Sequence, residues 1–428
     1  MLAASSLHAL GGGQSKMTTE ISEIRRGWPM VLTASVGVGT GRTALFIFST
    51  GIFTKPIGAE LGWGRGDVQS MLAFATLGVL LASPIFGQMM DRWKLRPLII
   101  SSTIAFGVTF ALIGPLTDTL WSFYALAFLC SVVGSGTLPV TWSRAIFDWF
   151  SVQRGLALGL ALMGSGLAAF ILPSYAAWLL TNFGWRMGYV GIGLLPLVLS
   201  LPLSYFWLKP PSEKVAALTR REAATGISLR DAVRGFRFWI IGISFFLASF
   251  ATGGIVANLV PMMTDRGYDL KTAAWIAGAQ GLAVIAGRGV TGYLLDKIWG
   301  PALAATVIVL PIISCLVLGG GVQSTPVMLG SVILVGFAAG AEFDMVAFLT
   351  ARYFGLKHFG SLYGVLYAFF VSASGFAPGL FGKAYDITHN YTLILNVSAA
   401  ALIVGAIMVL FLGRYPVETP AANSESRT

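Results

Sequence analysis

The stretch Gly281–Trp299, GLAVIAGRGVTGYLLDKIW, decides the fold. Most of it reads as a helix crossing a bilayer, yet Arg288 stands inside it. Its end, Gly292-Tyr-Leu-Leu-Asp296-Lys297, repeats Gly87-Gln-Met-Met-Asp91-Arg92 at a distance of 205 residues. Further pairs keep that register: Gly155 with Gly360, Gly159 with Gly364, and Pro173 with Pro378 at 205, and Trp149-Phe150 with Tyr353-Phe354 at 204. A series in register at a fixed offset is the mark of an internal duplication.

Composition sets the class. Of 428 residues, 56% are hydrophobic and 11% charged, with mean hydropathy +0.78. Soluble domains carry about 25% charged residues. Runs of about 20 continuously apolar residues indicate spanning helices, whereas a β-barrel needs alternating segments of about 10. Twelve spans are expected near 28–51, 68–90, 97–117, 120–146, 155–180, 187–208, 236–262, 271–296, 300–320, 327–350, 360–382 and 391–413. The chain therefore divides into a tail (1–27), a six-helix bundle (28–208), a polar linker (209–235), a second six-helix bundle (236–413) and a tail (414–428). The fold class is an all-α membrane protein of two six-helix repeats. Parallel repeats of this kind place a substrate site at the bilayer midplane between the halves.

The net charge of +10 lies in loops between spans and follows topology. With both termini cytoplasmic, 20 Lys and Arg fall inside and 6 outside, with Arg42 and Arg288 left within spans. The excess fixes that orientation in an inner (plasma) membrane. No nucleic-acid partner is expected. Cys130 and Cys315 lie in apolar runs, and His8, His358 and His389 lie in loops or the tail. Neither a disulfide framework nor a metal site follows, and no cofactor is expected. The segment MLAASSLHALGGGQSK lacks the basic start and unbroken apolar core of a signal peptide.

GQMMDRWKLR at Gly87–Arg96 resembles the signature of the major facilitator superfamily, with Lys94 in place of a glycine. The resemblance spans about residues 25–415. It implies that Gly87, Asp91 and Arg92, with their copies Gly292, Asp296 and Lys297, form a cytoplasmic conformational gate. The plain alternative is that Arg92, Lys94 and Arg96 are only topology charges. Within the superfamily, LGWGRGDVQSMLAFATLGVLLASPIFGQMMDR, WFSVQRGLALGLALMGSG and RYFGLKHFGSLYG together resemble the monocarboxylate transporter and oxalate:formate exchanger group. That resemblance implies carboxylate binding by an arginine in span eight, the place of Arg288. The chain departs from animal monocarboxylate transporters at Val284, where they carry an aspartate. It departs from the oxalate exchangers in having only Lys383, at the outer end of span eleven.

An arginine at the bilayer centre costs about 2.5–3.5 kcal/mol on insertion scales, so something must offset it. Arg288 and Arg42 have only Ser83 and Leu247 as repeat mates, so the duplicated scaffold does not demand them. Both are candidates for anion binding. The alternative is a structural ion pair or snorkelling to the interface. Ser35, Gly39, Arg42, Phe46 and Ser49 recur at three- to four-residue spacing and predict a polar stripe facing a cavity. Glu342 and Asp344 in span ten are candidates for a counter-ion to the arginines or for proton coupling. Asn258 and Tyr367 are further candidates for substrate binding, with Trp142 and Tyr363 as possible cavity-lining neighbours, and Gly253-Gly254 as a possible helix break.

The expected function is secondary transport of a small organic anion, a monocarboxylate, by alternating access, driven by proton coupling or exchange. A single chain should function as a monomer. Two alternatives stay open: efflux of drugs or amphipathic compounds, and a solute receptor that does not translocate. The first requires an acidic cavity and the second a sizeable signalling domain. No nucleophile–base pair stands at membrane depth, so an enzyme is not expected.

Overall fold

The computed structural model describes residues 24–150, 154–208, 227–295, 297–321, 324–355 and 358–415, less the side chains of Pro84, Asp91, Arg92 and Arg154. Asp296 and the linker up to residue 226 lie outside the described residues. Among those described, ten helical segments are long and apolar enough to cross a membrane. One of them, Gly155–Trp207, is two passes. Its continuity breaks at Gly184 (φ 78°), a conformation that favours glycine. The Tyr175 hydroxyl then reaches the Gly191 carbonyl at 3.5 Å, so the chain has doubled back. The helix Leu270–Leu295, diluted by Gln280 and Arg288, completes twelve spans. Apolar side chains such as Leu81, Trp121 and Leu199 remain exposed around the bundle, as lipid contact requires.

Two spans differ from unbroken helices. Span one consists of a helix over 24–39 and a second over Arg42–Leu61. Span four consists of Leu120–Val133, a tight turn over Gly134–Thr137, and Pro139–Trp149. The breaks meet. The Arg42 backbone N–H, which has no acceptor within its own helix, donates to Thr137 Oγ1 at 3.1 Å. A Cβ on Gly41 would stand 2.6 Å from the Thr137 carbonyl oxygen, so this close crossing needs glycine. Span seven, Phe236–Asp265, is continuous instead: Gly253 and Gly254 abut Ser374 and Phe381 and do not break it. Before it, a short helix over Leu229–Arg234 is capped by Ser228, and Ile227 N–H donates to the Phe354 carbonyl at 3.0 Å.

Spans two and eleven, Arg65–Arg92 and Phe359–Thr388, and spans five and eight cross between the halves. At one end they are tightly joined. Arg65 binds Asp265 through two nitrogens at 2.5 and 2.9 Å, and Lys55 joins Asp265 at 2.7 Å. The Arg65 guanidinium also lies 3.6 Å from the centre of the Tyr385 ring. Asp386 accepts from the backbone N–H groups of Arg65 and Gly66 at 2.9 and 2.7 Å. It thus caps the start of span two from the opposite half, where free N–H groups favour a carboxylate. Gly66 permits this approach, since a Cβ there would lie 2.3 Å from Lys383 Cγ.

Toward the other end the same faces stand apart. Gly166 and Gly281 touch across spans five and eight, and Gly375 touches Thr76. Seven or eleven residues further on, two or three helical turns along the same faces, Gly159, Gly155, Gly292 and Gly364 have nothing within 4 Å among the described residues. Gly87 and Gly360 are equally open among the described residues. The halves are therefore closed at the Arg65 end and splayed at the Gly87 end.

Replacing both Asp265 and Asp386 by asparagine should loosen the closed end. Hydrogen bonds to charged groups are worth about 1.5–3 kcal/mol each where they are sheltered, so the closed-end population should fall by at least about fivefold. Pulsed spin-label distances between Gly62 and Asn390 would lengthen; an unchanged distribution would show that apolar packing alone holds this end.

Candidate functional site

Between the halves lies a cavity of about 160 Å³. Most of its wall is apolar, with Phe46, Phe48, Leu72, Leu138, Val256, Phe343 and Phe370 among its residues. Among the described residues its charged side chains are Arg42, Arg288 and Glu342.

Arg288 enters from span eight. Its Nε and Nη1 are buried and find no hydrogen-bond partner among the described residues. The nearest carboxylate, Asp344, stands 3.8 Å away, too far for a hydrogen bond. The guanidinium lies 5.7 Å from the centre of the Phe343 ring, which shelters it without satisfying its donors. A buried N–H without an acceptor costs about 1–3 kcal/mol, more when charged. An anion arriving in the cavity would recover that cost.

Arg42 enters at the break in span one. It is 4% exposed, its Nε donates to Ser131 Oγ at 3.1 Å, and its carbon head lies 5.3 Å from the Phe46 ring. Its residue begins a 20-residue helix, and the following Thr43 and Ala44 also line the cavity. A helix N-terminus there adds positive potential to that of the guanidinium. The predicted stripe is corrected by this break. Arg42 and Phe46 face the cavity, but Gly39 and Ser35 press on Gly164 of span five, and Ser49 bonds its own Leu45 carbonyl.

Glu342 is fully buried in span ten, Thr325–Phe354. One carboxyl oxygen accepts from Thr252 Oγ1 at 3.2 Å; the other, Oε1, has no hydrogen-bond partner among the described residues. Among the described residues no lysine or arginine forms an ion pair with it, so the expected counter-ion role passes to Asp344, which faces Arg288. Two residues apart on one helix, the acids point to different surroundings.

Tyr367 lines the cavity and feels the charges of both arginines. It continues a ladder along span eleven, Phe359, Tyr363, Tyr367 and Phe370, with successive rings 5.3, 5.9 and 6.3 Å apart. Asn258 is placed elsewhere: its amide donates to the Gly254 and Pro378 carbonyls at 3.0 and 3.4 Å, off the cavity wall. Trp142 is buried against Gly37. Lys297 bonds the Tyr293 hydroxyl and lies 4.0 Å from that ring's centre. Gly87 and Gly292 sit at the splayed end; Asp91 and Arg92 close the same helix as Gly87, Arg65–Arg92, and Asp296 falls outside the described residues.

Sequence reading missed Gln280 and Thr252. Gln280 lines the cavity eight residues before Arg288, with Oε1 buried and unpartnered. A glutamine inside an apolar run, two turns from a charged residue, was the available signal.

Twelve spans in two similar halves around a central cavity define a membrane transporter architecture. The chain belongs to the Major Facilitator Superfamily, whose family model matches residues 32–378. It is 24% identical to Monocarboxylate transporter 11 of Homo sapiens, over 91% of this chain and 83% of that protein. It is also 24% identical to Monocarboxylate transporter 13 of Bos taurus, over 91% and 90%. With the Probable L-galactonate transporter of Escherichia coli (strain K12) it shares 23% identity over 87% and 86%. Among solved structures, a bacterial homolog of the human lysosomal transporter Spinster superposes with a TM-score of 0.62, at 14% identity over 90% and 94% of the two chains.

Proposed function

We propose that this chain is a secondary transporter that moves a small monocarboxylate by alternating access, with Arg288 as the carboxylate-binding residue. The observation that carries the reading is a cavity-lining guanidinium with two buried, unpartnered nitrogens. Arg42 and its helix N-terminus strengthen the positive field. With two arginines against Glu342 on its wall, the cavity suits an anion and disfavours amphipathic cations. Two relatives named as monocarboxylate transporters support the same reading. No step of chemical conversion is assigned to the chain, and a monomer suffices because both halves of the path lie in one polypeptide.

The excess of Lys and Arg in the loops at the Gly87 end supports an orientation with that end, and both termini, on the cytoplasmic side of a cell inner (plasma) membrane. The conformation is then inward-open. Glu342 is the coupling group. An ionised carboxylate buried with a single hydroxyl partner is costly, and a proton removes that cost. Loading and releasing this proton on opposite sides would tie the proton gradient to the anion.

Uptake of labelled lactate, pyruvate and formate into proteoliposomes, with and without an imposed pH gradient, tests the reading. Failure of every carboxylate to bind or exchange would refute it. Alternating access predicts a further result. The bare glycine faces at the cytoplasmic end must meet when the path closes there, as Gly166 and Gly281 meet now. Gly159→Leu and Gly364→Leu should fold normally, because each Cβ enters open space, and should lower turnover by about tenfold or more. Normal turnover in both variants would mean that closure does not use these faces.

A further inference from the structure

We propose that the preferred substrate carries an aromatic ring on its carboxylate; this rests on the monocarboxylate reading above and narrows it. Size comes first. A cavity near 150 Å³ in an apolar protein interior holds a benzene molecule, and this one measures about 160 Å³. Formate would leave most of it filled with water against apolar walls, and pyruvate, similar in bulk to benzene, would set polar atoms against walls that are mostly apolar.

The composition of the wall comes second. Phe46, Phe48, Phe343, Tyr367 and Phe370 all border the cavity. Phe343 stands edge-on to Tyr367 and Phe370, with ring centres 5.4 and 6.3 Å away and interplanar angles of 89° and 73°. Tyr367 and Phe370 are nearly parallel, at 16°. A planar ring entering beside them finds both faces and edges, the arrangement aromatic groups favour.

The placement of charge comes third. Arg288 lies against Phe343, so the anion-binding end and the aromatic wall adjoin. A carboxylate one or two bonds from a ring satisfies both. The excess of positive charge on the wall selects an acid without an ammonium group.

Pyruvate and phenylpyruvate share one head group and differ by a phenyl ring, so they isolate its effect. Ligand-induced thermal stabilisation of the full chain in nanodiscs, titrated with each, yields both affinities. Counterflow in proteoliposomes checks that each is translocated. Phenylpyruvate should bind at least about tenfold more tightly than pyruvate, the gain from one well-placed aromatic contact plus burial. Phe370→Leu should shrink that ratio several-fold, and phenylalanine should compete poorly. Equal or tighter binding of pyruvate overturns the ring preference and leaves the monocarboxylate reading intact. Absence of binding by both acids overturns the preference together with that reading. The wild-type ratio decides the matter even if the variant fails to fold.

Discussion

Arg288→Ala should abolish concentrative uptake and weaken substrate binding by at least about 30-fold. A charge-assisted, two-nitrogen contact to a carboxylate in a sheltered cavity is worth about 2–5 kcal/mol when one partner is truncated. The protein should nonetheless stay folded. Among the described residues Nε and Nη1 of Arg288 make no hydrogen bond that would be lost, and the Asp344 contact at 3.8 Å is weak. Removing the guanidinium leaves Asp344, whose side chain is 30% exposed, able to hydrate. Arg288→Lys keeps the charge but offers a compact ammonium in place of a planar fork, and should remain impaired by about tenfold or more. Equilibrium binding and initial uptake rates in proteoliposomes give both values. Full retention of transport in Arg288→Ala would remove this residue from the mechanism.

Glu342→Gln should separate accumulation from exchange. The substitution preserves shape and can keep an acceptor for Thr252 Oγ1, now 3.2 Å away. It removes the only change the proposal needs, the gain and loss of a proton. Uptake driven by a pH gradient should fall by about tenfold or more, while counterflow between equal substrate pools persists. Stability should hold or rise, because a buried carboxyl oxygen without a partner is replaced by a neutral group. Asp344→Asn serves as the contrast: it faces Arg288, and its loss should alter affinity more than coupling. Undiminished gradient-driven accumulation in Glu342→Gln would exclude this carboxyl from coupling.

Much of the architecture was legible in the chain because bilayers impose simple rules. A spanning helix must be long and apolar, so spans announce themselves. Their ends are less legible, since helices such as Thr325–Phe354 continue past the expected residue 350 into the interface. The duplicated Gly87 and Gly292 stretches fixed the halves, and Arg288 stood out because lipid penalises charge. Glycine is harder to read. Gly41 breaks span one, Gly184 reverses the chain, and Gly253 and Gly254 only admit neighbours.

Linear order therefore established twelve spans, their pairing by repeat, and the arginines and acids worth attention. Those features depend on local hydropathy and on a register that any reader of the chain can measure. Partnership depended on three-dimensional packing. Glu342 chose Thr252 and left Arg288 to Asp344, because the helix rotates its acids to different neighbours. Asn258 turned to the Gly254 and Pro378 carbonyls, away from the cavity. The crossing of two broken helices brought Arg42 to the cavity, and the contact of Arg65 with Asp265 and Asp386 closed one end. Each is a contact between residues far apart in the chain, formed by distances and angles that local pattern does not encode.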